Sequence, residues 1–250
     1  MPLTTRVSDS VYCVQRRDYL SCSYFVVRGD NVVLIDAGID ATGRDMIDGL
    51  AEVGRRPQDV SAILLTHWHN DHSSGAAVMR ELSGARIYFH ADGRNRFTRE
   101  ARARGPRGWL AERLPDVGFW APLRGLLELA PPRAVDATTL VSDGDLIEGE
   151  FRVLETPGHE RGHLSFYFEP EQVLFAGDAL AVAHDRIVFM SRFLTENIEQ
   201  ARRSMLRCLE PSTQAICPGH RYPLIKPRPD EIARARDMVE RLRWWPIVGC

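Results

Sequence analysis

Three short apolar segments of the sequence each run directly into a histidine or an aspartate. They are ILLTH at 63–67, LFAGD at 174–178 and AICPGH at 215–220. Unbroken apolar runs of this length are typical of strands that are buried on both faces. Because loops at strand ends are the usual place for chemistry in layered folds, we expect the three carboxyl ends to converge on one edge of a sheet. That edge is the predicted functional site.

Strand and helix patterns alternate on both sides of these segments, which favours an α/β fold. The predicted strands are a hairpin at 23–38 around a Gly-Asp-Asn turn, single strands at 85–90 and within 145–159, and a second hairpin at 163–178. The predicted helices lie at 40–54, 73–84, 195–210 and 229–245, with Thr195 as the N-cap of the third and Pro229 at the start of the fourth.

The composition is that of an ordinary globular protein, with 44% hydrophobic and 26% charged residues in a chain of 250. This length is sufficient for one large domain. The net charge of −2 provides no overall field to attract nucleic acid or an anionic membrane. No segment resembles a secretion signal or the ~18 apolar residues of a membrane span. The five cysteines form no CxxC pair, so we expect a reducing cytoplasm rather than a disulfide framework.

Residues 92–135 fit neither half of the pattern and are predicted to be a helical insertion. The insertion could be a lid over the site, an interface in a homodimer, or additional core. Its first part carries six arginines, at Arg94, Arg96, Arg99, Arg102, Arg104 and Arg107. Two interpretations of these arginines remain open. They form a solvated helix face, or they contact an anionic part of a substrate such as a carboxylate, phosphopantetheine or coenzyme A.

The segment HWHNDH at 67–72 holds four side chains that can bind a metal. His67 and His69, two positions apart on an extended strand end, would point to the same side, whereas Asp71 and His72 come after a turn. Three more such side chains follow later strands, at His159, Asp178 and His220. Imidazoles together with carboxylates suit zinc, iron or manganese better than calcium or magnesium. His90, at the end of a predicted strand, is interpreted as a structural histidine.

The pattern HxHxDH, followed by separate His, Asp and His residues, resembles the metallo-β-lactamase superfamily of binuclear αββα hydrolases. The segments TPGHERGHLSFY at 156–167 and LFAGDAL at 174–180 are similar to the glyoxalase II branch of that superfamily. The resemblance extends over about residues 24–220 and includes a full set of seven ligands.

The resemblance implies an α/β (α+β) fold, specifically a four-layer αββα sandwich. It implies one domain over residues 1–250, built from two pseudo-symmetric halves at about 1–91 and 136–250. The helical insertion at 92–135 would lie between the halves.

The resemblance also implies a site with two divalent metal ions. Zinc is the expected ion, and iron and manganese are the alternatives. His67, His69 and His159 would hold the first metal, Asp71, His72 and His220 the second, and Asp178 would bridge the two. Asp71 is also assigned a catalytic part. A water activated between the metals would attack a carbonyl carbon. Asp36 and His163 would support the ligands from behind, as carboxylates and carbonyls do for metal-bound histidines.

Departures from related groups narrow the predicted substrate to a small-molecule ester, thioester or lactone. Asp178 stands where zinc β-lactamases with a cysteine ligand need that cysteine, and His69 stands where flavodiiron proteins have glutamate. The large inserted domain of the nuclease branches is missing. Only 30 residues follow His220, too few for the helical glutathione-binding domain of full-length glyoxalase II. Hydroxyacylglutathione is therefore not the expected substrate, although the core resembles that enzyme.

Some side chains outside the ligand motifs could contact a substrate. Trp109, Phe119 and Trp120 of the insertion would line an apolar acyl pocket. His184, six residues after Asp178, could reach the mouth of that pocket. Trp68, inside the first motif, is interpreted as a packing residue.

Other function classes remain open. A mononuclear iron oxygenase like the persulfide dioxygenases shares the fold and the HxHxDH motif but uses two histidines and one aspartate, so Asp71, His72 and His220 would be idle. A zinc lactonase or a β-lactamase type of amide hydrolase is a further variant. A non-catalytic scaffold would have no need of a complete ligand set. The expected partner is a small acyl substrate, without nucleic acid or membrane.

Overall fold

The structure is a computed structural model that describes residues 3–16, 20–93, 138–242 and 245–246. All but the first two residues of the predicted insertion lie outside these ranges, as do Trp109, Phe119, Trp120 and the six arginines. The strands are β1 Leu3–Arg6, β2 Val11–Arg16, β3 Ser21–Arg28, β4 Asn31–Ile35, β5 Val60–Leu64, β6 Arg86–His90, β7 Thr138–Val141, β8 Leu146–Ile147, β9 Phe151–Glu155, β10 Leu164–Phe168, β11 Val173–Gly177, β12 Ala181–Ala183, β13 Arg186–Val188, β14 Ala215–Pro218 and β15 Leu224–Ile225. The α-helices are α1 Arg44–Glu52, α2 Asn70–Ser73, α3 Ala76–Ser83, α4 Ile198–Cys208 and α5 Pro229–Arg241, with single 3₁₀ turns at Pro57–Asp59 and Arg192–Leu194.

The described strands form two large sheets and a separate hairpin. The first sheet has the order β1-β2-β3-β4-β5-β6-β7, and its strands from β4 to β7 are parallel. The second has the order β15-β14-β11-β10-β9-β8, in which β11 and β14 are parallel. Strands β12 and β13 pair only with each other among the described strands. Strand β7, which follows the predicted insertion in the sequence, belongs to the first sheet.

The unbroken apolar runs are explained by burial on both faces of each sheet. In β11, Val173 and Phe175 face the core between the two sheets, while Leu174 and Ala176 face an outer core with the helices. Strand β4 alternates between the same kinds of core. Because successive side chains of a strand point to opposite faces, such strands need apolar residues at every position. The prediction of strands buried on both faces is confirmed.

Helices cover the outer faces of the sheets and complete four layers. Met46 of α1 and Met79 of α3 pack in the outer core of the first sheet. Met205 of α4 and Val239 of α5 pack in the outer core of the second. The order of helix, sheet, sheet and helix confirms the predicted αββα sandwich.

The first hairpin turns over two residues rather than the predicted three. Gly29 and Asp30 form the turn, while Asn31 lies in β4 and pairs with Arg28. Gly29 has a φ of +59°, a conformation that glycine adopts without a steric penalty.

The start of α4 differs from the prediction. Asn197, and not Thr195, is the N-cap, because its side-chain oxygen accepts the N–H of Gln200 at 3.1 Å. Thr195 instead donates its hydroxyl to the carbonyl of Ser191 at 2.8 Å. Both residue types suit an N-cap. The backbone N–H of Asn197 also donates to the carbonyl of Gly158 at 2.9 Å, and this tertiary contact favours the later start.

The three apolar segments meet at one edge of the sandwich but come from two sheets. Strand β5 belongs to the first sheet, and β11 and β14 belong to the second. The expectation of a single sheet edge is therefore wrong in this respect. The N–H of Leu164 donates to the carbonyl of Thr66 at 2.8 Å, and the N–H of Cys22 donates to the carbonyl of Gly219 at 2.7 Å. These bonds join the two sheets beside the site.

None of the helices in the described ranges is long and apolar enough to cross a membrane. The arrangement of the chain as one domain with two pseudo-symmetric halves stays a prediction.

Candidate metal centre

The segment that follows β5 holds the first two predicted ligands. It leads from Leu64 through His67 to His69, which is the N-cap of α2. The ring centroids of His67 and His69 are 4.6 Å apart, as their spacing on extended backbone predicts. Trp68 between them is buried in the outer core of the first sheet, which confirms its interpretation as a packing residue.

Asp71 and His72 lie within the short helix α2. Together with His220 they form a group whose ligand atoms all lie within 4.8 Å of one another. The Nε2 atom of His220 is 3.3 Å from Oδ2 of Asp71, and Nε2 of His72 is 3.5 Å from the same oxygen. These are the residues predicted for the second metal.

His159 forms a second such group with His67 and His69. Its Nε2 atom lies 3.1 Å from Nδ1 of His69. The carbonyl of His159 accepts the N–H of Glu196 at 3.1 Å, so the segment that enters α4 holds the ligand loop in place. These are the residues predicted for the first metal.

Asp178 lies between the two groups. Its Oδ2 atom is 3.5 Å from Nε2 of His159 and 3.3 Å from Nε2 of His220. Its Oδ1 atom is 3.6 Å from Nε2 of His72. One carboxylate therefore reaches ligand atoms of both groups.

Two glycines permit this close approach of the strands. Gly158 has a φ of +137°, and a Cβ at this position would collide with the backbone of Ala201. A Cβ on Gly219 would collide with the carboxylate of Asp178 and would lie 2.6 Å from Cε1 of His72. Packing thus requires both glycines, before His159 and His220, and the positive φ of Gly158 is a second requirement for glycine at that position.

The cluster opens to solvent on one side. His67, His72 and Asp178 are buried, whereas His69, Asp71 and His220 are only half-buried. Within the described part of the chain, the half-buried residues form the accessible side of the cluster.

Burial lowers the pKa of the histidines in the first group. It lowers the pKa of His69 to about 3 and holds the pKa values of His67 and His159 below the ordinary range. A neutral imidazole has a free lone pair. At neutral pH these three side chains can bind a metal without first losing a proton.

Carboxylates have the opposite effect on the second group. Burial alone would lower the pKa of His220, but Asp178 and Asp71 outweigh it and raise this pKa to about 10. Against the same effect of burial, Asp71, Asp178 and Asp36 raise the pKa of His72 well above its ordinary value. Burial would raise the pKa of Asp178, yet His220 and His72 hold it below its usual range. A metal ion has to displace protons from His72 and His220.

Several buried ligand atoms have no hydrogen-bond partner within the described part of the chain. They include Nε2 of His67, Nε2 of His72 and Oδ1 of Asp178. An unsatisfied buried polar atom costs about 1–3 kcal/mol, so a cluster of them needs a cause. Imidazole nitrogens and carboxylate oxygens are common ligands of zinc. The residues present therefore fit a divalent metal site.

Asp36 supports two of these histidines from behind. The Nδ1–H of His72 donates to Oδ2 of Asp36 at 2.8 Å. The hydroxyl of Thr66 also donates to this carboxylate at 2.8 Å, so its oxygen is left to accept the Nδ1–H of His67 at 2.9 Å. The Nε2 atoms of both rings thereby face the cluster: that of His67 keeps its lone pair, and that of His72 gains one when its proton is lost. This is the part expected of Asp36, but no sequence pattern singles out Thr66.

His163 supports the cluster at another point. Its Nε2 atom accepts the backbone N–H of Asp178 at 2.9 Å. Its Nδ1 atom lies 2.8 Å from the hydroxyl of Thr156, another residue that the sequence did not identify. Burial lowers the pKa of His163 to about 3, so the ring is neutral.

Two other histidines lie outside the ligand groups. His184, predicted at a pocket mouth, is exposed at the tip of the β12–β13 hairpin. His90 lies at the end of β6, with Nε2 3.2 Å from Oε1 of Glu155 in the other sheet, in agreement with a structural part. Trp120, the other predicted substrate contact, lies outside the described residues.

Known proteins are similar to this chain over most of its length. Residues 17–220 match the Metallo-beta-lactamase superfamily. The chain is 32% identical over 197 residues to the hydroxyacylglutathione hydrolase of Cereibacter sphaeroides, an alignment that covers 75% of this chain and 60% of that enzyme. It is 30% identical over 228 residues to the hydroxyacylglutathione hydrolase of Yersinia pestis, covering 86% of this chain and 70% of that enzyme. The chain thus spans less than two thirds of the length of the Cereibacter enzyme.

A solved structure shares the fold. The metallo-β-lactamase family protein from Thermus thermophilus superposes with a TM-score of 0.67 at 28% identity, over 94% of this chain and 81% of that one. Together with the four layers and the HxHxDH motif, these matches show that the chain belongs to the metallo-β-lactamase superfamily.

Proposed function

We propose that the protein is a hydrolase that uses two divalent metal ions to cleave a small-molecule ester, thioester or lactone. The observation that carries this proposal is the position of Asp178. Its Oδ2 atom is 3.5 Å from a nitrogen of the first group and 3.3 Å from a nitrogen of the second. A carboxylate has two oxygens with which to serve neighbouring metal ions.

The two histidine groups would each hold one metal. The first metal would be held by His67, His69 and His159, the second by Asp71, His72 and His220, and Asp178 would be shared. These nitrogen and carboxylate ligands suit zinc, with iron or manganese as alternatives.

When bound, two divalent ions supply a hydroxide nucleophile near neutral pH and a positive charge that stabilises the developing oxyanion. Asp178 and Asp71 supply the negative charge that holds the ions. The half-buried carboxylate of Asp71 lies on the open side of the cluster, where it can hold a proton from the attacking water. The oxygen of water adds to the acyl carbon, the acyl–sulfur or acyl–oxygen bond breaks, and the leaving thiolate or alkoxide takes up a proton.

Among esters, thioesters and lactones, the relatives favour a thioester as the substrate. The hydroxyacylglutathione hydrolases of Cereibacter and Yersinia share 32% and 30% of aligned residues with this chain. Because the alignment covers only 60% of the Cereibacter enzyme, the relatives support the thioester bond and not a particular thiol component. We therefore propose thioesters with different thiol components, glutathione among them, as the first substrates to test.

The experiment measures metal content and hydrolysis together. Protein purified without chelator should contain two equivalents of metal by elemental analysis. It should hydrolyse members of a panel of thioesters, esters and lactones, lose this activity in chelator and regain it with zinc. Asp178→Asn should lower both metal content and turnover. Asp185→Asn, at the exposed tip of the β12–β13 hairpin, is the matched control and should alter neither.

Two results would contradict the proposal in different ways. An Asp178→Asn protein with two metals and full activity would show that the site is wrongly assigned. A wild-type protein that holds two metals but hydrolyses no member of the panel would reject the substrate class.

A second candidate is a mononuclear iron oxygenase that acts on a persulfide. It is favoured by one observation: Oδ2 of Asp178 lies 3.5 Å from Nε2 of His159, so this carboxylate and two histidines of the first group could hold a single ion. This ligand type is used by non-haem iron oxygenases. One equivalent of iron, with oxygen consumption on addition of a persulfide, would support it over the hydrolase.

A further inference from the structure

A buried histidine from neither ligand group holds the backbone of Asp178. The Nε2 atom of His163 accepts the N–H of Asp178 at 2.9 Å, and His163 is 1% exposed. Asp178 directly follows β11 and carries the carboxylate that reaches both groups. A bond that fixes this N–H also fixes the direction in which the carboxylate leaves the strand.

Three hydrogen bonds behind His163 determine which ring nitrogen carries the proton. The carbonyl of Ala176 can only accept, so the hydroxyl of Ser165 donates to it at 3.0 Å. The oxygen of Ser165 then accepts the hydroxyl proton of Thr156 at 2.8 Å. Because each hydroxyl has one proton, the oxygen of Thr156 is left to accept the Nδ1–H of His163 at 2.8 Å. The unprotonated Nε2 therefore faces the N–H of Asp178.

These hydrogen bonds form a relay that begins at the carbonyl of Ala176, passes through Ser165, Thr156 and His163, and ends at the N–H of Asp178. The residue between Ala176 and Asp178 has to be glycine. Gly177 has a φ of +51°. A Cβ at this position would lie 2.7 Å from Nε2 of His163 and 2.9 Å from Cβ of Thr66. Bare backbone is what allows the ring of His163 to reach the next N–H.

The opposite tautomer does not fit these partners. With the proton on Nε2, the ring would set one N–H against the N–H of Asp178. The hydroxyl oxygen of Thr156 would also lose the Nδ1–H that it accepts from His163. Buried polar groups without partners are costly, so the arrangement specifies one state of the ring.

We infer that His163 is a positioning residue for the metal centre: Thr156 and Ser165 lock its Nδ1–H tautomer, and the ring aims the carboxylate of Asp178 at both ligand groups. The part given to Asp178 rests on the proposed function. The tautomer and its hydrogen bonds do not depend on any activity. Mutation of a residue that forms a hydrogen bond to a metal ligand typically lowers metal affinity or activity by about 10–100-fold.

Two substitutions of Thr156 form a matched pair that tests the relay. Thr156→Val keeps the shape of the side chain but removes the oxygen that accepts the Nδ1–H of His163. Thr156→Ser keeps that oxygen and removes only a methyl group. A residue that merely fills space would respond to the lost methyl group, whereas the relay responds to the lost oxygen.

Two spectroscopic readouts use the full-length protein loaded with zinc, which is diamagnetic. Side-chain ¹⁵N spectra of histidine-labelled protein report which nitrogen of His163 carries the proton, and His163→Gln identifies its signals by their loss. Hydrogen exchange of the Asp178 amide reports whether its bond to the ring is intact. Zinc affinity, measured by competition with a chromogenic chelator, is the third readout.

We expect wild-type His163 to carry its proton on Nδ1 and the Asp178 amide to be protected. Thr156→Val should weaken at least one zinc site by about 10–100-fold and lower the protection of this amide, while Thr156→Ser stays within about threefold of wild type. A proton on Nε2 in the wild type would overturn the inference, and so would wild-type zinc affinity in Thr156→Val. If the protein hydrolyses nothing, the proposed function fails, but the tautomer and the amide exchange still decide the relay.

Discussion

The Nδ1 atom of His72 lies 2.8 Å from Oδ2 of Asp36, although the two residues are 36 positions apart in the chain. Oδ1 of the same carboxylate accepts the backbone N–H of Thr66 at 2.8 Å. Asp36 therefore joins the end of β4 to the ligand segment after β5. One buried carboxylate determines the direction of a predicted ligand and the path of the backbone that carries two others.

The substitution Asp36→Asn should reduce metal binding while the fold is kept. Asp36 has a φ of +59°, a conformation that asparagine tolerates well. The amide nitrogen of asparagine, however, cannot accept a hydrogen bond, so one of the donors around residue 36 loses its partner. We expect metal affinity to fall by about 10–100-fold. Competition with a chelator measures this affinity.

Asp48→Asn is the control for this prediction, because among the described residues Asp48 forms an ion pair with Arg44 alone, at 3.5 Å and one turn apart on α1. Such exposed pairs contribute little, so its metal affinity should equal that of wild type. Equal metal affinity in Asp36→Asn and wild type would show that the contact with His72 is not needed for binding.

Metal binding should release protons at one group and not at the other. His69 has a pKa of about 3 because it is buried, so at neutral pH the first group has no proton to release. Against the effect of burial, Asp178 and Asp71 raise the pKa of His220 to about 10, so this residue has to lose a proton when a metal binds. Affinity at the second group should therefore rise with pH up to about 10, and affinity at the first should be nearly constant around neutrality.

Calorimetric titrations in buffers with different ionisation enthalpies measure this proton release directly. We expect proton release with only one of two successive metals. The raised pKa of His220 also has a consequence for the metal-free fold. Since that pKa lies above its value in the unfolded chain, protonated His220 stabilises the metal-free fold. This stabilisation is complete below about pH 6.5 and is lost as the pH rises through about 10. Equal proton release for both metals would contradict the assignment of the groups.

Patterns along one strand were sufficient to predict burial on both faces of a sheet, whereas the four layers were implied by the family resemblance. Val173, Leu174, Phe175 and Ala176 point alternately into the two cores on either side of the sheet. A short run of apolar residues is enough to predict this burial. The origin of the three ligand-bearing strands from two sheets was not predictable in this way, because it depends on how the sheets face each other.

The supporting residues of the site were predicted only in part. Asp36 and His163 belong to motifs with a recognisable pattern, and they form hydrogen bonds to His72 and to the backbone of Asp178, two predicted metal ligands. Thr66 and Thr156 are ordinary hydroxyl residues in the sequence. Each of these hydroxyl groups accepts the Nδ1–H of a histidine ring and donates its own proton to a further oxygen. Such directional bonds between distant segments have no local sequence signal.

The N-cap of α4 should contribute to stability through Asn197. Its side chain accepts the N–H of Gln200 at 3.1 Å, and loss of an N-cap costs about 1 kcal/mol. We expect Asn197→Ala to lower the free energy of unfolding by about this amount in urea denaturation. Asn197→Asp keeps an accepting oxygen and should remain close to wild type. A larger loss in Thr195→Ala than in Asn197→Ala would restore Thr195 as the cap.

Gly219→Ala should damage the metal centre more than the fold. The added Cβ would collide with the carboxylate of Asp178 and would lie 2.6 Å from Cε1 of His72. Both side chains are buried, and other contacts hold each of them, so neither has room to move away. A misplacement of about 1 Å at such a centre can cost about 100-fold in activity. We expect loss of at least one metal equivalent and a fall in kcat/KM of about this size, measured on protein whose circular dichroism is unchanged.

The control for this substitution is Gly54→Asn. Gly54 has a φ of +71° in open space, and asparagine is the side chain that best tolerates this conformation. Its metal content and kcat/KM should therefore equal those of wild type. If Gly219→Ala also kept two metals and wild-type kcat/KM, Asp178 and His72 would have to move without loss of function. The close approach of β14 to the shared carboxylate would then be a feature of packing alone.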